Sequence, residues 1–345
     1  MSRPDDDDID EAPHPRQTAA LFGHGAAEAA LLAAYRAGRM PHGILIAGPK
    51  GIGKATLAYR IARFIFNHPD PAARDAQDAS SLQVDATNPV ARRIAAQAQP
   101  DLLVIERTVN ERGVLRNQIA VDDIRRTVPF FGSTAGEGGW RIAIIDAVDD
   151  LNRSGANALL KVLEEPPQRG LLLLIAHSTA RVPPTLRSRC RIISLRPLAQ
   201  RDVAAALAAA AGAEIDDAQI DTAAAAADGS VARALTLLDD EALTLRRQAL
   251  EVLTRLPAVD PADLHLLGDA LAGTDPQPLA AFLDTVNAWL SQRLASGHGD
   301  LARLNRLAEA SEHINAAARD AEMYNLERKP LVFNVFGLLA EATRG

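Results

Sequence analysis

The sequence lacks most features that mark exported, membrane-embedded or metal-stapled proteins. Its 345 residues include a single cysteine, Cys190, so no internal disulfide can form and a cysteine-based zinc site has no set of ligands. No apolar run is long enough to cross a membrane, and the N-terminus is acidic where a secretory signal is basic and then apolar. We therefore expect a cytoplasmic protein with no metal site and no membrane contact.

Positive charge is also scarce. The formal net charge is −7 and the isoelectric point is near 5.7, whereas a protein that binds DNA along its own surface needs clustered Lys and Arg to neutralise phosphates. Any contact with nucleic acid is thus expected to depend on a partner. The acidic run PDDDDIDEA (residues 4–12) repels itself, so residues 1–17 are interpreted as a disordered tail, with a functional acidic arm as the alternative.

Five short, nearly continuous apolar runs separated by helical patterns dominate residues 18–197. Such runs are typical of strands buried on both faces, so we predict an α/β P-loop core with a parallel five-stranded sheet covered by helices. Between the first two runs, residues 67–100 show no strand pattern and are interpreted as a loop with a short helix near ARRIAAQA. The five predicted strands are GILIA (43–47), DLLVIE (101–106), RIAIID (141–146), LLLLIA (171–176) and RIISL (191–195).

After Pro197 the strand pattern disappears and helices with glycine ends follow. We predict a small helical lid over residues 198–255 and a helical C-terminal domain over residues 256–345. In LVFNVFGLLAEA (331–342) the apolar residues fit either the core of a helix bundle or a face that binds a partner.

The stretch GPKGIGKAT (48–56) has the spacing of a phosphate-binding P-loop after a strand and at the start of a helix. Gly48, Gly51 and Gly53 would let backbone N–H groups surround phosphates, and Lys54 would reach their oxygens. The next position, which normally carries the Ser or Thr hydroxyl that binds Mg²⁺, is Ala55. Thr56 lies about 100° further around the helix and cannot simply replace it.

A second phosphate-site element ends the third predicted strand. Asp146 occupies the position of a metal-binding carboxylate, and the next residue is Ala147. Asp149 and Asp150 follow, but neither is an obvious substitute for a catalytic carboxylate. We therefore expect a degenerate site that requires no cofactor, holds ATP or ADP weakly or not at all, and hydrolyses ATP poorly.

Three motifs resemble the clamp-loader branch of the AAA+ ATPases, particularly its bacterial members. They are LFGHGAAEAALLAAYRAGRMPHGILIAGPKGIGK, the helix ANALLKVLEEPP (156–167) and LRSRC (186–190), and the resemblance covers about the first 240 residues. In active members the residue after the strand aspartate is usually a catalytic Glu, so Ala55 and Ala147 together set this chain apart from ATP-hydrolysing subunits. AEMYNLERKPL (321–331) resembles the collar domain that assembles such rings.

The resemblance implies a five-subunit ring of DNA polymerase III in which one subunit offers an arginine to the γ-phosphate bound by its neighbour. Arg189 matches that arginine. The implied partners are gamma/tau and delta clamp-loader subunits, with the sliding clamp and primer-template DNA met through the assembled complex. A gamma/tau-type ATPase with unusual metal ligation, or an AAA+ scaffold outside replication, remain alternatives.

The chain departs from the family pattern in two further places. Relatives often insert a cysteine-rich zinc module between the first two strands, and residues 67–100 contain no cysteine. GSVARAL places Ala232 where active relatives have a lid arginine, so Arg233 is assigned no role.

Ser178 and Thr179 are open to two interpretations, phosphate sensing and capping of a strand end. Glu164 and Glu165 are interpreted as structural or subunit-facing.

Overall fold

A computed structural model describes residues 14–109, 116, 118–132, 139–210, 215–273, 275–296, 301–324 and 326–344. The chain forms two compact units that divide between Leu235 and Thr236. Within the described residues, no helix is both long and apolar enough to span a membrane.

The first unit contains the predicted parallel sheet. All five strands are confirmed within one residue at each end, and the sheet order is β2-β3-β4-β1-β5 with every pair parallel. Strand β4 is buried throughout, whereas β5 lies at one edge of the sheet and is mostly exposed. The strands are β1 Gly43–Ala47, β2 Leu102–Glu106, β3 Arg141–Asp146, β4 Gly170–Ala176 and β5 Arg191–Ser194.

Apolar side chains on the two faces of the sheet form separate cores. On one face Ile44, Ile144 and Leu173 pack against the helix that follows the P-loop, and on the other Leu45, Ala143 and Leu174 pack against the helix of the ANALLKVLEEPP motif. Alternate residues of a strand point to opposite faces, so a nearly continuous apolar strand supplies both cores at once. The sheet is therefore the rigid support on which the loops at its two ends are held.

The helices of the first unit lie before, between and after the strands. The sequence VDDIRRTVPFF (121–131) is typical of one helix, but the structure has two short helices there, because Pro129 has no N–H to donate to the carbonyl of Arg125 and its ring disfavours a continuous turn. The glycine-rich sequence GSTAGEGG (132–139), which is typical of a loop, lies mostly outside the described residues. The helices are α1 Gly25–Arg36, α2 Lys54–Asn67, α3 Arg74–Asp78, α4 Pro89–Ala95, α5 Val121–Arg125, α6 Thr127–Gly132, α7 Arg153–Glu164, α8 Pro184–Arg187, α9 Gln200–Ala210, α10 Asp217–Ala226 and α11 Val231–Thr236.

Hydrogen bonds rather than cysteines hold the segment between β1 and β2. The Arg36 Nε donates to the Ala76 carbonyl at 3.0 Å, and the Glu28 carboxylate accepts from the Leu82 N–H at 2.9 Å. Helix α4 begins at an Asn88 cap, close to the short helix predicted there.

Part of the predicted tail is ordered. Residues 1–13 lie outside the described residues, but residues 14–17 form a turn in which the Gln17 N–H donates to the His14 carbonyl at 2.7 Å. The buried Arg63 on α2 donates to the carbonyls of Pro15 and Thr18. The tail interpretation does not hold for these four residues.

The second unit is a helical bundle, described by itself. Its core includes Phe282, Val286 and Phe336, all at most 1% exposed. Most apolar residues of 331–342 lie in this core, which favours the bundle-core interpretation over a partner-binding face. The helices are α12 Asp240–Arg255, α13 Pro261–Ala270, α14 Pro276–Ser296, α15 Leu301–Met323 and α16 Arg328–Thr343.

The division between the units differs from the boundary drawn from the sequence at residue 255. Leu245, Ala249 and Leu253 of α12 pack in the core of the second unit. A division into core, lid (198–255) and collar (256–345) remains a proposal. It assigns α12 to the lid, whereas the division at Leu235 places α12 in the second unit.

Candidate functional site

The P-loop lies where the sequence predicts it, between the end of β1 and the start of α2. Gly48, Gly51 and Gly53 all have positive φ, at 155°, 78° and 96°. At Gly51 the requirement is twofold, because a Cβ there would overlap the Ser230 hydroxyl and lie 2.8 Å from the Ala232 Cβ. Glycine is thus needed for the backbone conformation and for the approach of a second segment.

That second segment is the N-terminus of α11. The Gly51 carbonyl accepts hydrogen bonds from the Val231 N–H at 2.9 Å and from the Ala232 N–H at 3.3 Å. Arg233 interacts with the turn before α11, where its Nη1 lies 3.1 Å from Asp228 Oδ2 and donates to the Ala227 carbonyl at 3.2 Å.

Lys54 is almost fully buried, at 4% exposed. Its Nζ donates to the Pro49 carbonyl of its own loop at 2.5 Å. Burial lowers the pKa of Lys54 to about 8, while the charges of Asp146 and Asp149 act in the opposite direction. The amine therefore still carries its proton at neutral pH, beside the carboxylate that ends β3.

Asp146 pairs in register with Glu106, the last residue of the neighbouring strand β2. Burial raises the pKa of Asp146 to about 6; the charge of Lys54 opposes this shift and that of Glu106 adds to it. Burial also raises the pKa of Glu106. Sequence reasoning missed Glu106, although a carboxylate at the end of the adjacent parallel strand was a signal that could have identified it.

The two alanines occupy apolar surroundings. Ala55, in the first turn of α2, packs against the core on that face of the sheet, and Ala147, directly after Asp146, is 2% exposed. Neither side chain can bind a metal ion or orient water. Within the described residues, no group of three or more His, Cys, Asp or Glu side chains is placed to hold a metal ion. The loop fits an anion, but the residues around it fit Mg²⁺–ATP poorly.

Asp149 has a structural task. Its two carboxylate oxygens accept from the His177 and Ser178 N–H groups, each at 2.8 Å, and so join the turn after β3 to the end of β4. Burial, followed by the charge of Lys54, lowers the pKa of His177 to about 4, so this imidazole is neutral at physiological pH. Sequence reasoning did not assign His177 to this site.

Arg189 lies near the amino ends of the strands, at the opposite end of the sheet from the P-loop. It follows α8, whose Leu186 is fully buried, and precedes β5, which runs parallel to β1 with Arg191 beside Ile44. Gly43 at the start of β1 is close enough that a Cβ there would lie 3.4 Å from the Arg189 carbonyl oxygen. The P-loop begins at the other end of the same strand, about 17 Å away at 3.3 Å per residue.

The Arg189 side chain is 38% exposed and contacts two other elements. Its Nη2 lies 2.8 Å from Glu164 Oε1, and its Nη1 donates to the Thr185 carbonyl at 3.1 Å. Cys190 follows, and burial raises the pKa of its thiol to about 11, so it is not an activated nucleophile.

A P-loop after β1 of a sheet with this strand order, followed by short helices that contact the loop, defines a P-loop protein of the AAA+ class. A family model described as "DNA polymerase III, delta subunit" matches residues 23–199, more than half of the chain. The chain belongs to this family.

Curated relatives include two types of clamp-loader subunit. The delta-prime subunit of Pseudomonas aeruginosa is 36% identical over 149 residues, which cover 43% of this chain and 41% of the relative. The delta-prime subunit of Escherichia coli is 30% identical over 167 residues, 48% and 46% of the two chains. The gamma/tau subunit of Mycobacterium tuberculosis is 29% identical over 284 residues, 79% of this chain and 46% of the relative.

The matches span less than half of the length of these relatives. Together with the family match, the two delta-prime relatives support assignment of the chain to the delta-prime type.

Among solved structures, Thermotoga maritima provides two similar proteins. A gamma-subunit-related protein is 16% identical with a TM-score of 0.36, covering 91% of this chain and 99% of that one. A RuvB variant is 18% identical with a TM-score of 0.43, covering 94% and 90%. The fold assignment rests on the sheet order, the P-loop and the family match rather than on these two similarities.

Proposed function

We propose that the chain acts as the delta-prime subunit of a DNA polymerase III clamp loader and donates Arg189 to the nucleotide site of a neighbouring ATPase subunit. Its partners are then gamma/tau and delta subunits, and the assembled complex loads a sliding clamp onto primer-template DNA. We propose a cytoplasmic location with that complex.

The position of Arg189 carries this proposal. Arg189 lies at the amino ends of the parallel strands and the chain's own P-loop lies at their carboxyl ends. Arg189 is therefore poorly placed to reach a phosphate bound by the same chain. An exposed guanidinium on a turn anchored by a buried leucine is well suited to a phosphate on another molecule. Such an arginine stabilises the charge that develops during phosphoryl transfer.

The chain's own nucleotide site has a supporting role in this proposal. Gly48, Gly51, Gly53, Lys54 and Asp146 form a phosphate-binding arrangement without the hydroxyl and the second carboxylate that hydrolysis uses. Lys54 already has an acceptor in the Pro49 carbonyl. We infer that the protein does not hydrolyse ATP by itself, requires no cofactor, and binds ATP or ADP weakly at most.

The test is ATP hydrolysis by a complex reconstituted from this chain with gamma/tau and delta subunits, the clamp and primed DNA. Arg189→Ala is compared with Arg191→Ala, which removes the same charge two residues further along the chain. An arginine of this kind accelerates hydrolysis about 10³-fold or more. We therefore expect Arg189→Ala to abolish ATP hydrolysis at the neighbouring nucleotide site that Arg189 contacts. Assembly of the complex and the activity of Arg191→Ala should stay at native values. Equal activity of the two variants in an intact complex would refute the proposal.

A gamma/tau-type ATPase is the second candidate, because a gamma/tau relative aligns with 79% of the chain. Steady ATP turnover by the isolated chain, abolished by Lys54→Ala, would favour this candidate. Failure to associate with any clamp-loader subunit would instead favour a scaffold outside replication.

A further inference from the structure

We propose that Glu164 is the positioning residue for Arg189, holding the guanidinium in the orientation in which it meets the γ-phosphate of the neighbouring subunit. This inference rests on the proposed function and adds to it a residue of the ANALLKVLEEPP helix.

Two contacts from different elements determine the orientation of the guanidinium. Glu164, the last residue of α7, lies with its Oε1 2.8 Å from Nη2, and the Thr185 carbonyl on α8 accepts from Nη1 at 3.1 Å. A guanidinium has five N–H donors in a planar fork. Two anchored nitrogens fix the plane of the group and leave further N–H bonds for an incoming phosphate.

The backbone around both partners is also held in place. His42 Nε2 lies 3.1 Å from the Leu163 carbonyl, directly before Glu164. Gly43 lies close to both segments, since a Cβ there would be 2.6 Å from Leu163 Cδ2 and 3.4 Å from the Arg189 carbonyl oxygen. Glu164 and Arg189 therefore extend from two segments that meet at the start of β1.

The charges make the contact more than incidental. The C-terminal end of a helix carries partial negative charge, which disfavours a carboxylate such as Glu164 at that position. Arg189 offsets this repulsion. The two side chains are 38% and 49% exposed, and ion pairs this accessible contribute little to the free energy of unfolding. The pair is therefore better explained by the geometry that it imposes on Arg189 than by stabilisation of the fold.

Glu164→Gln tests the inference, with Glu165→Gln as the matched control because Glu165 carries the same charge one residue further and is also exposed. Each variant is made in the native chain and in Arg189→Ala, and the complexes are reconstituted as above. We measure kcat and KM for ATP, the affinity of assembly, and the thermal midpoint of the free chain.

We expect Glu164→Gln to lower kcat about three- to tenfold through misorientation of the guanidinium. KM, assembly and the thermal midpoint should stay at native values, and Glu165→Gln should match the native chain. In the Arg189→Ala background Glu164→Gln should have no further effect, because a positioning residue acts only through the group that it positions.

The inference and the proposed function fail in different ways. If Arg189→Ala itself leaves hydrolysis unchanged, the proposed function is wrong and the inference falls with it. If Arg189→Ala lowers hydrolysis but Glu164→Gln does not, or lowers it equally without Arg189, only the inference is wrong. A rise in kcat would mean that Glu164 sequesters the arginine, and an equal effect of Glu165→Gln would point to general charge; either result overturns the positioning role.

Discussion

Replacement of Gly51 by alanine gives the most direct measure of the contact between the P-loop and α11. The new methyl group would overlap the Ser230 hydroxyl and lie 2.8 Å from the Ala232 Cβ, at a φ of 78°. A left-handed conformation costs a non-glycine residue about 1–2 kcal/mol, and overpacking adds about 1–3 kcal/mol. We therefore expect Gly51→Ala to lower the free energy of unfolding by about 2–5 kcal/mol.

Gly38→Ala is the matched control. Gly38 has a φ of 63°, but a Cβ there would have no neighbour within 4 Å, so this variant should cost only the backbone contribution of about 1–2 kcal/mol. Urea unfolding followed by a probe in the first unit measures both values. Amide exchange adds a local measure, because the Val231 and Ala232 N–H groups donate to the Gly51 carbonyl.

Protection of those two amides should fall about tenfold or more in Gly51→Ala, since each 1.4 kcal/mol corresponds to a factor of ten, and should be unchanged in Gly38→Ala. If the two variants lose equal stability and keep equal protection at Val231, then α11 does not pack on the loop as described.

Two further predictions concern the carboxylates at the end of β3. The pKa of Asp146 is raised from 3.8 to about 6, so between those values the folded chain holds a proton that the unfolded chain releases, and the free energy of unfolding falls as the pH rises through that window. Asp146→Asn should thus stabilise the protein at pH 7 by on the order of 1–3 kcal/mol with no gain near pH 4, and denaturant unfolding that shows the same gain at both pH values would contradict this. Asp149→Ala should lower the free energy of unfolding by about 2–4 kcal/mol, because two backbone N–H groups lose a charged acceptor, and Asp149→Asn should lower it less, because the amide keeps one acceptor oxygen. Amide exchange at His177 and Ser178 measures the effect of both variants. Unaltered protection of these amides in Asp149→Ala would contradict the bridging role.

The sheet was predictable because its strands appear in the sequence as apolar runs, most clearly β1, β3 and β4, which bury both faces. The P-loop was predictable for a related reason, since its glycines and Lys54 have a fixed spacing between a strand and a helix. Local pattern also located Asp146, at the end of the third run. These features all depend on residues close together in the chain.

Other features depend on distant residues and were not predictable. No local pattern indicates that Asp149 accepts from the backbone of residues 177 and 178. The hydrogen bond from Lys54 to Pro49 depends on a side-chain rotamer. Helix α12 lies between two helical segments with similar composition, so only its packing shows that it belongs to the second unit.

Arg189 and the P-loop lie at opposite ends of the parallel strands, so the first unit has two functionally different ends. Under the proposed function, such a subunit would associate head to tail, with one kind of surface facing the neighbour before it and another facing the neighbour after it. A chain that offers its arginine but lacks the residues for hydrolysis at its own loop would then assist a reaction on one side only. Its presence would make the positions around a ring non-equivalent and would give the cycle of hydrolysis a defined end.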